Sequence, residues 1–207
     1  MLLFCGADKL NQKIKQQFDA ILKKNKSSAE ILEGYGLSEV ASVATVNITG
    51  ETKAGTQGKP IYGVKITIID EKEQEVRAGE IGEVLLQSQS MMNGYLNDKE
   101  KGDYYFTDEK GEKWLRTGDV GWVDEDGYFT FKARQKRIIK IAGVNIFPSE
   151  IEEAVCNLKE IDSACVVCSY KNSKPYLKLI VKMNKSYRYS ILIEGRIKNL
   201  IAEEFIH

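Results

Sequence analysis

Residues 34–39 (Gly-Tyr-Gly-Leu-Ser-Glu) bring two glycines, an aromatic ring, a hydroxyl and a carboxylate together within six positions. Backbone N–H groups beside glycines can approach a phosphate or a flat ring closely. Ser38 could hydrogen-bond a phosphate oxygen, and Glu39 could hold Mg²⁺ through a carboxylate oxygen. The segment is a candidate phosphate site, although the same residues also suit a glycine-rich turn that precedes a strand.

A second candidate is the carboxylate at the end of residues 114–119 (Trp-Leu-Arg-Thr-Gly-Asp). The pattern predicts a short apolar strand and then a tight Thr-Gly turn that presents Asp119. A carboxylate in such a position can accept two hydrogen bonds from a vicinal diol, as acidic residues do with ribose. Thr-Gly-Asp is also an ordinary turn sequence, so this segment has two interpretations.

A third candidate is the basic run between Lys132 and Lys140, which has five positive charges in nine residues. Such a run is usually a solvated face. Here it lies where the composition changes, and it is followed by Gly143, Pro148 and an acidic helix start. That position favours an anion site at a hinge between two domains.

Cysteine and histidine chemistry is disfavoured throughout the chain. The four cysteines are too scattered for a disulfide framework, and we interpret them as cytosolic thiols. Cys165 and Cys168 have CxxC spacing, but they lie in an apolar β-branched run that predicts a core strand rather than a redox or zinc site. The single histidine, His207, is the last residue, which argues against a Ser-His-Asp triad.

The composition is that of an ordinary globular protein. The 207 residues are 43% hydrophobic, and 30 basic residues balance 30 acidic ones. Disorder and nucleic-acid binding are therefore disfavoured. No apolar run is long enough to span a membrane, and the first residues do not resemble a signal peptide, so we expect a cytoplasmic protein.

The elements that must position these residues change in type along the chain. Apolar spacing predicts an amphipathic helix over Lys9–Lys24. Short β-rich runs separated by turn signals follow, which predicts a sheet or a small distorted barrel. These runs are Val40–Ile48, Val64–Ile69, Gly82–Gln87, Trp114–Arg116, Val120–Val123 and Tyr128–Phe131.

After Arg134 the pattern predicts a helix that starts at Pro148, two strands and a closing helix. The strands are Ser163–Tyr170 and Tyr176–Met183, and the closing helix is Ile191–Phe205. The fold class is therefore α+β, with a β-rich first domain over residues 1–133 and a small, mobile α+β domain over residues 134–207.

The three candidate segments, in this order, resemble the adenylate-forming superfamily. Residues 35–39 look like its Tyr-Gly-x-Thr-Glu segment, residues 116–119 like its Arg-Thr-Gly-Asp, and residues 133–152 like its Gly-Arg-x-Lys/Asp…Ile-Lys…Gly…Pro-x-Glu-Ile-Glu stretch. Residues 79–97 match its linking sequence, and residues 4–10 resemble its adenine-side segment as found in long-chain acyl-CoA and acyl-carrier-protein synthetases. Ala133 and Ser38 replace the usual Gly and Thr.

The resemblance implies a set of nucleotide-binding residues. Gly6 and Ala7 would lie near adenine, Tyr35 would pack on it, and Asp119 and Arg134 would hold the ribose. The full implied set is Gly6, Ala7, Tyr35, Gly36, Ser38, Asp119 and Arg134.

The resemblance also implies catalytic positions. Ser38 would contact the α-phosphate and Glu39 would bind Mg²⁺. Lys136 falls on the family's hinge position. Lys140 and Gly143 fall where the thioester-forming conformation brings small-domain residues to the active site, with Gly143 at the thiol tunnel.

The implied function is an ATP-dependent acid–thiol ligase, which forms an acyl-AMP and passes the acyl group to coenzyme A or to a carrier-protein phosphopantetheine. A nonribosomal-type adenylation domain and a non-catalytic nucleotide-binding module are the alternatives. The acyl chain and the thiol acceptor stay open.

Two family segments have no counterpart in these 207 residues: the Ser/Thr/Gly-rich phosphate loop and the late Pro-x-x-x-x-Gly-Lys lysine segment. The resemblance therefore implies a C-terminal-half fragment with a truncated small domain. We expect the isolated chain to fold without ligase turnover and to self-associate through apolar patches on the truncated face.

Overall fold

A computed structural model describes residues 2–6, 10–96 and 104–205 of the chain. The chain divides into two compact units, Met1–Gln135 and Lys136–His207. The first is β-rich and the second mixes helices with a hairpin, which confirms the predicted α+β class. Among the described helices, none combines the length and the apolar character needed to cross a membrane.

One sheet of the first unit has four strands, in the order β1-β2-β3-β4. Strand β1 (Leu2–Cys5) runs parallel to β2 (Glu30–Tyr35), and helix α1 (Gln12–Lys24) connects them. Strands β3 (Thr45–Val46) and β4 (Lys59–Pro60) add antiparallel pairs. Strand β2 ends at Tyr35, so the ring of Tyr35 lies at the end of this strand.

The second sheet is curled and consists of five antiparallel strands. Four of them follow the order β5-β6-β8-β7, and β9 pairs with β8. Their bounds are β5 Val64–Ile69, β6 Gly82–Ser88, β7 Tyr105–Thr107, β8 Lys113–Val123 and β9 Phe129–Arg134. The buried core beneath this sheet includes Val84, Leu86, Leu115 and Phe129, and Tyr35 packs against it.

Two predicted features of this unit are wrong. The expected strand Val40–Ile48 is a 3₁₀ turn (Ser38–Val40) followed by an irregular segment and the two-residue β3, because Ala41 and Ser42 adopt positive φ and interrupt any extended run. The expected strands Trp114–Arg116 and Val120–Val123 are a single strand, β8. The predicted Thr-Gly turn is an irregularity inside that strand.

Helix α1 confirms the amphipathic prediction and begins at Gln12. The side-chain oxygen of Asn11 accepts a hydrogen bond from the backbone N–H of Lys13 at 2.9 Å, which caps the first turn. The apolar residues Ile14, Phe18 and Ile21 on this helix are exposed. The helix thus has an unpartnered apolar face within the described part of the chain.

The second unit consists of two hairpins and two helices. Strands β10 (Ile139–Ile141) and β11 (Val144–Ile146) form the first hairpin, and helix α2 (Pro148–Cys156) follows. Strands β12 (Ile161–Lys171) and β13 (Lys174–Met183) form the second hairpin, and helix α3 (Ile191–Phe205) closes the described chain. The predicted helices and the two longer strands are confirmed.

The core of this unit lies between the second hairpin and its helices, around Ile151, Val155, Ile161, Val166 and Ile197. Cys165 and Cys168 lie in β12 as predicted, and both are free thiols. The predicted core strand is confirmed, and within it Cys165 is exposed whereas Cys168 is half-buried. Residues three apart in a strand face opposite sides, so only one of the two can face the core.

Candidate nucleotide site

Asp119 is positioned by an irregularity in the pairing of β8 with β6. Glu83 pairs with Val120 and Leu85 pairs with Arg116, so residues 117–119 form a bulge opposite a single residue of β6. Gly118 has φ +67°, a left-handed conformation that glycine adopts without steric cost. Bulges re-aim side chains, and this one turns the Asp119 carboxylate inward.

The hydroxyl of Thr117 fixes this bulge from inside. It donates to the backbone oxygen of Val84 at 2.7 Å and accepts from the backbone N–H of Asp119 at 3.0 Å. Both bonds are buried. Thr117 therefore ties the bulge to β6 and holds the backbone of Asp119.

The carboxylate of Asp119 has two partners from other strands. The hydroxyl of Tyr35 donates to Oδ2 at 2.6 Å, and Nε of Arg134 lies 2.9 Å from Oδ1. The N–H bond of Arg134 Nε does not point at Oδ1. Among the described residues, Oδ1 therefore accepts no hydrogen bond. Only 1% of the Asp119 side chain is exposed, whereas 59% of Arg134 is exposed. The Arg134 guanidinium therefore covers a carboxylate oxygen that can still accept a hydrogen bond.

Burial dominates the electrostatics of this pair. It raises the pKa of Asp119 above its ordinary value, while the Tyr35 hydrogen bond and the Arg134 charge lower it and the nearby charge of Glu39 raises it. Burial and the Asp119 charge raise the pKa of Tyr35 as well. The Tyr35 phenol therefore stays protonated and remains a donor to Asp119.

The Tyr35 ring is held between neighbouring elements. Its centroid lies 4.8 Å from that of Phe129 and 6.2 Å from that of Phe131, with the second pair stacked. The chain after Tyr35 passes very close to itself, because a Cβ at Gly36 would lie 1.7 Å from the backbone oxygen of Ser42. A larger residue at Gly36 would displace this segment.

An apolar cavity of about 830 Å³ opens beside Tyr35. Its walls include Cys5, Gly6, residues 34–38, Val46 and Ile61. The volume lies within the range of small-molecule sites, and glycine backbone on two sides leaves room for a flat ring. Gly6, Tyr35, Gly36 and Ser38, which the sequence predicted for nucleotide binding, all line this one cavity. Ala7 lies outside the described residues.

Ser38 and Glu39 begin the 3₁₀ turn that follows the cavity wall. Ser38 is exposed, and Glu39 is half-buried. The backbone oxygen of Glu39 accepts from the N–H of Met92 at 2.7 Å, and its carboxylate Oε1 accepts from the Tyr95 hydroxyl at 2.6 Å. The Glu39 carboxylate is thereby held at the surface of the site.

Within residues 2–6, 10–96 and 104–205, no group of three His, Cys, Asp or Glu residues could hold a metal by itself. A single placed carboxylate fits Mg²⁺ that arrives with a nucleotide, because such ions are held by one or two carboxylates and by the phosphates. Glu39 therefore suits a metal ion that a nucleotide brings.

Four residues of this site were missed by the sequence analysis: Tyr95, Thr117, Phe129 and Phe131. Three are aromatic, and nothing local distinguishes an aromatic wall residue from a core residue. The hydroxyl at Thr117 was assigned only to a turn.

The remaining predicted residues belong to the second unit. The division of the chain falls directly before Lys136, in the 3₁₀ turn Gln135–Arg137. Lys140 is exposed at the centre of β10, and Gly143 lies in the turn between β10 and β11 with φ +85°. The predicted basic run is thus shared between the units, and two of its members already face carboxylates, Arg134 with Asp119 and Arg137 with Glu152.

Solved structures show which class of protein has this fold. A benzoate CoA ligase from Burkholderia xenovorans LB400 matches 99% of this chain with a TM-score of 0.82 at 23% identity, and the match covers 39% of that chain. The anthranilate CoA ligase AuaEII in complex with anthranoyl-AMP matches 99% of this chain with a TM-score of 0.79 at 25% identity, over 37% of its own length. The fold is that of acid–CoA ligases.

Sequence relatives agree. The family of AMP-binding enzymes matches residues 1–96. A probable 4-coumarate–CoA ligase 3 of Dictyostelium discoideum is 33% identical over 196 residues, which are 93% of this chain and 34% of the relative. A long-chain-fatty-acid–CoA ligase of Bacillus subtilis is 34% identical over 182 residues, 86% of this chain and 31% of the relative. The chain belongs to the adenylate-forming superfamily, and it spans about a third of the length of these curated relatives.

Proposed function

We propose that this chain is part of an ATP-dependent acid–thiol ligase, which converts a carboxylate to an acyl-AMP and then to a thioester of coenzyme A or of a carrier-protein phosphopantetheine. The observation that carries the proposal is the hydrogen bond between Tyr35 and Asp119. It joins a ring wall from one sheet to a carboxylate from the other, directly beside an apolar cavity. The apolar cavity with its aromatic wall suits a purine ring, and the adjacent carboxylate suits the ribose hydroxyls.

In this proposal the adenine lies in the cavity against Tyr35 and the backbone of Gly6 and Gly36. The ribose hydroxyls bind Asp119. Because Asp119 is 1% exposed, the Arg134 guanidinium must first move away from Oδ1. The Arg134 side chain is mostly exposed and can swing into solvent, and the ribose hydroxyls would then donate to the buried carboxylate in its place. The freed guanidinium would then contact the ribose.

Ser38 and Glu39 would bind the phosphates of the nucleotide and the metal ion that accompanies them. Ser38 lines the cavity and is exposed, so its hydroxyl can donate to the α-phosphate. Glu39 would hold Mg²⁺, which neutralises charge on the phosphates when it is bound. Charge stabilisation of this kind is the main source of rate enhancement in phosphoryl chemistry.

The thioester half-reaction is assigned to the second unit. We propose that Lys140 and Gly143 act at the thiol after a rotation at Lys136, where the chain divides. Lys140 is on a short hairpin, and a small rigid element of this kind can move as a body.

An ATP–pyrophosphate exchange screen over carboxylic acids of different length and aromaticity tests this function. It is performed on the gene product that contains these residues, with calorimetry of ATP binding in parallel. Acid-dependent exchange supports the ligase and identifies its substrate class. ATP binding without exchange for any acid would instead support a non-catalytic nucleotide-binding module.

A further inference from the structure

The second unit carries a concentration of positive charge that the nucleotide site does not use. Residues 161–190 contain six basic residues and one acidic residue, Asp162, although the chain as a whole has 30 basic and 30 acidic residues. The basic residues of this segment are Lys171, Lys174, Lys178, Lys182, Lys185 and Arg188.

Strand β13 places much of this charge on one face. Successive residues of a strand face opposite sides, and here Leu177, Leu179 and Val181 pack against the core of the unit. The alternate residues are all exposed: Lys174, Tyr176, Lys178, Ile180 and Lys182. Lys174 and Lys182 are eight residues apart, so this face extends over about 26 Å.

The paired strand completes the same face with small and apolar residues. Ile180 pairs with the exposed Cys165, and Lys178 pairs with Val167. On the outward face Ile180 therefore lies between Lys178 and Lys182, beside Cys165 and Val167 of β12. The described cavity of this unit, lined by Leu177, Met183 and Ile197 among others, lies on the opposite side, between β13 and α3.

Most of the lysines on and beside this face are not neutralised. Lys182 pairs with Asp162 at 2.6 Å between Nζ and Oδ2. Across the described part of the chain, Lys171, Lys174 and Lys178 take part in no ion pair. Their charge is available to an anionic partner.

Two exposed tyrosines lie in the strands of this hairpin. Tyr170 at its tip is 70% exposed and Tyr176 on the outward face is 42% exposed. Tyrosine side chains are enriched where a protein meets the headgroup region of a bilayer, because the ring is apolar and the hydroxyl is polar. Lysine clusters bind anionic lipids at the same depth.

We infer that the outward face of the β12–β13 hairpin docks on an anionic lipid surface, with Lys171, Lys174 and Lys178 at the phosphates and Tyr176 and Ile180 in the headgroup layer. A sheet face that combines unpaired lysines with exposed Tyr176 and Ile180 suits an anionic bilayer, which offers phosphates and an apolar layer together, whereas an acidic peptide offers charge alone. The chain lies on the membrane in this arrangement and does not span it. This inference is independent of the proposed ligase function.

Co-sedimentation with vesicles tests the inference, using phosphatidylcholine alone and phosphatidylcholine with about 30% phosphatidylserine, at low salt and at high salt. The wild-type chain should sediment with the anionic vesicles at low salt only. Lys174→Glu with Lys178→Glu should weaken this binding at least about tenfold, because each lysine contributes a separate electrostatic attraction. The control is Lys72→Glu with Lys110→Glu, which makes the same charge change in exposed turns of the first unit and should bind as the wild type does.

A second measurement reports burial of the face directly. In Tyr176→Trp, tryptophan emission should shift to shorter wavelength when anionic vesicles are added. Equal binding to neutral vesicles, no loss in the double variant with an unchanged circular dichroism spectrum, or an unshifted Tyr176→Trp emission would overturn the inference. So would binding of the same face to a single-stranded oligonucleotide or to polyglutamate in preference to vesicles.

Discussion

The hydroxyl of Tyr35 lies 2.6 Å from Oδ2 of Asp119, and the two residues are 84 positions apart in the chain. Tyr35 ends a strand of one sheet, and Asp119 lies in a bulge of the other. The bond therefore links the two sheets of the first unit at the edge of the cavity. Because one partner is a buried carboxylate, loss of this hydrogen bond should lower the free energy of unfolding and weaken nucleotide binding.

Tyr35→Phe should destabilise the chain by about 1–3 kcal/mol, since it removes a charge-assisted hydrogen bond and leaves Oδ2 of a buried carboxylate without a donor. Urea unfolding followed by circular dichroism measures this loss. Tyr62→Phe is the matched control, because Tyr62 is fully exposed. An equal loss in both variants would show that the Tyr35–Asp119 bond contributes nothing.

The pH dependence of stability should report the environment of Asp119. Its folded pKa is raised by burial, so its contribution to the free energy of unfolding is complete below the ordinary aspartate pKa of about 3.9 and is lost as the pH rises through the raised value. The wild type should therefore lose stability relative to Asp119→Asn as the pH rises from 4 to 7. Unfolding curves for both proteins across that range measure the difference. A difference that grows in favour of the wild type with rising pH would mean that the Tyr35 hydrogen bond and the Arg134 charge outweigh burial, and a constant difference would mean that they balance it.

The sequence predicted strands well where apolar residues alternate with polar ones, as in Val64–Ile69, in which all six residues pair with β6. It failed at residues 117–119, because a left-handed glycine inside a strand has the same signature as a turn. It also missed β2, whose glutamates at 30 and 33 break the apolar pattern, although Glu33 is buried. In these cases tertiary pairing determines the structure and local preference does not.

The features of the candidate site also fall into two groups, those that the sequence predicted and those that it did not. The glycines and carboxylates could be found from the sequence because their residue types and order resemble a family. The contact between Tyr35 and Asp119, and the cover that Arg134 provides, depend on a register between strands far apart in the chain. No local pattern carries that register.

Gly118→Ala should destabilise the chain by about 1 kcal/mol and also weaken ATP binding. Alanine at φ +67° is strained although the space around its Cβ is open, and relief of that strain would rotate the bulge and move Asp119. Gly50→Ala is the control, because Gly50 also has positive φ and open space but lies in a different turn. It should lose similar stability and keep its ATP affinity by calorimetry. Equal ATP affinity in the two variants would show that the bulge does not position the nucleotide site.

Glu39→Gln should raise the Mg²⁺ concentration required for ATP binding about tenfold or more, while binding of metal-free nucleotide changes little. The amide keeps the size of the side chain and removes the charge that would hold the metal. Calorimetric titrations of ATP at several Mg²⁺ concentrations measure this shift. Glu109→Gln changes the same charge at an exposed loop position and serves as the control. If both variants follow the wild-type Mg²⁺ dependence, Glu39 is not a metal ligand.

Lys140→Ala separates the two proposed half-reactions. If Lys140 acts only when the second unit presents its β10–β11 hairpin to the thiol, the variant should form acyl-AMP at the wild-type rate and form the thioester at least about tenfold more slowly. Pyrophosphate exchange measures the first step, and a single-turnover assay that starts from preformed acyl-AMP measures the second. Lys159→Ala removes another exposed lysine of the same unit and should leave both rates unchanged. Equal loss of both rates in Lys140→Ala would place this lysine in adenylation or in folding, and not in thioester formation.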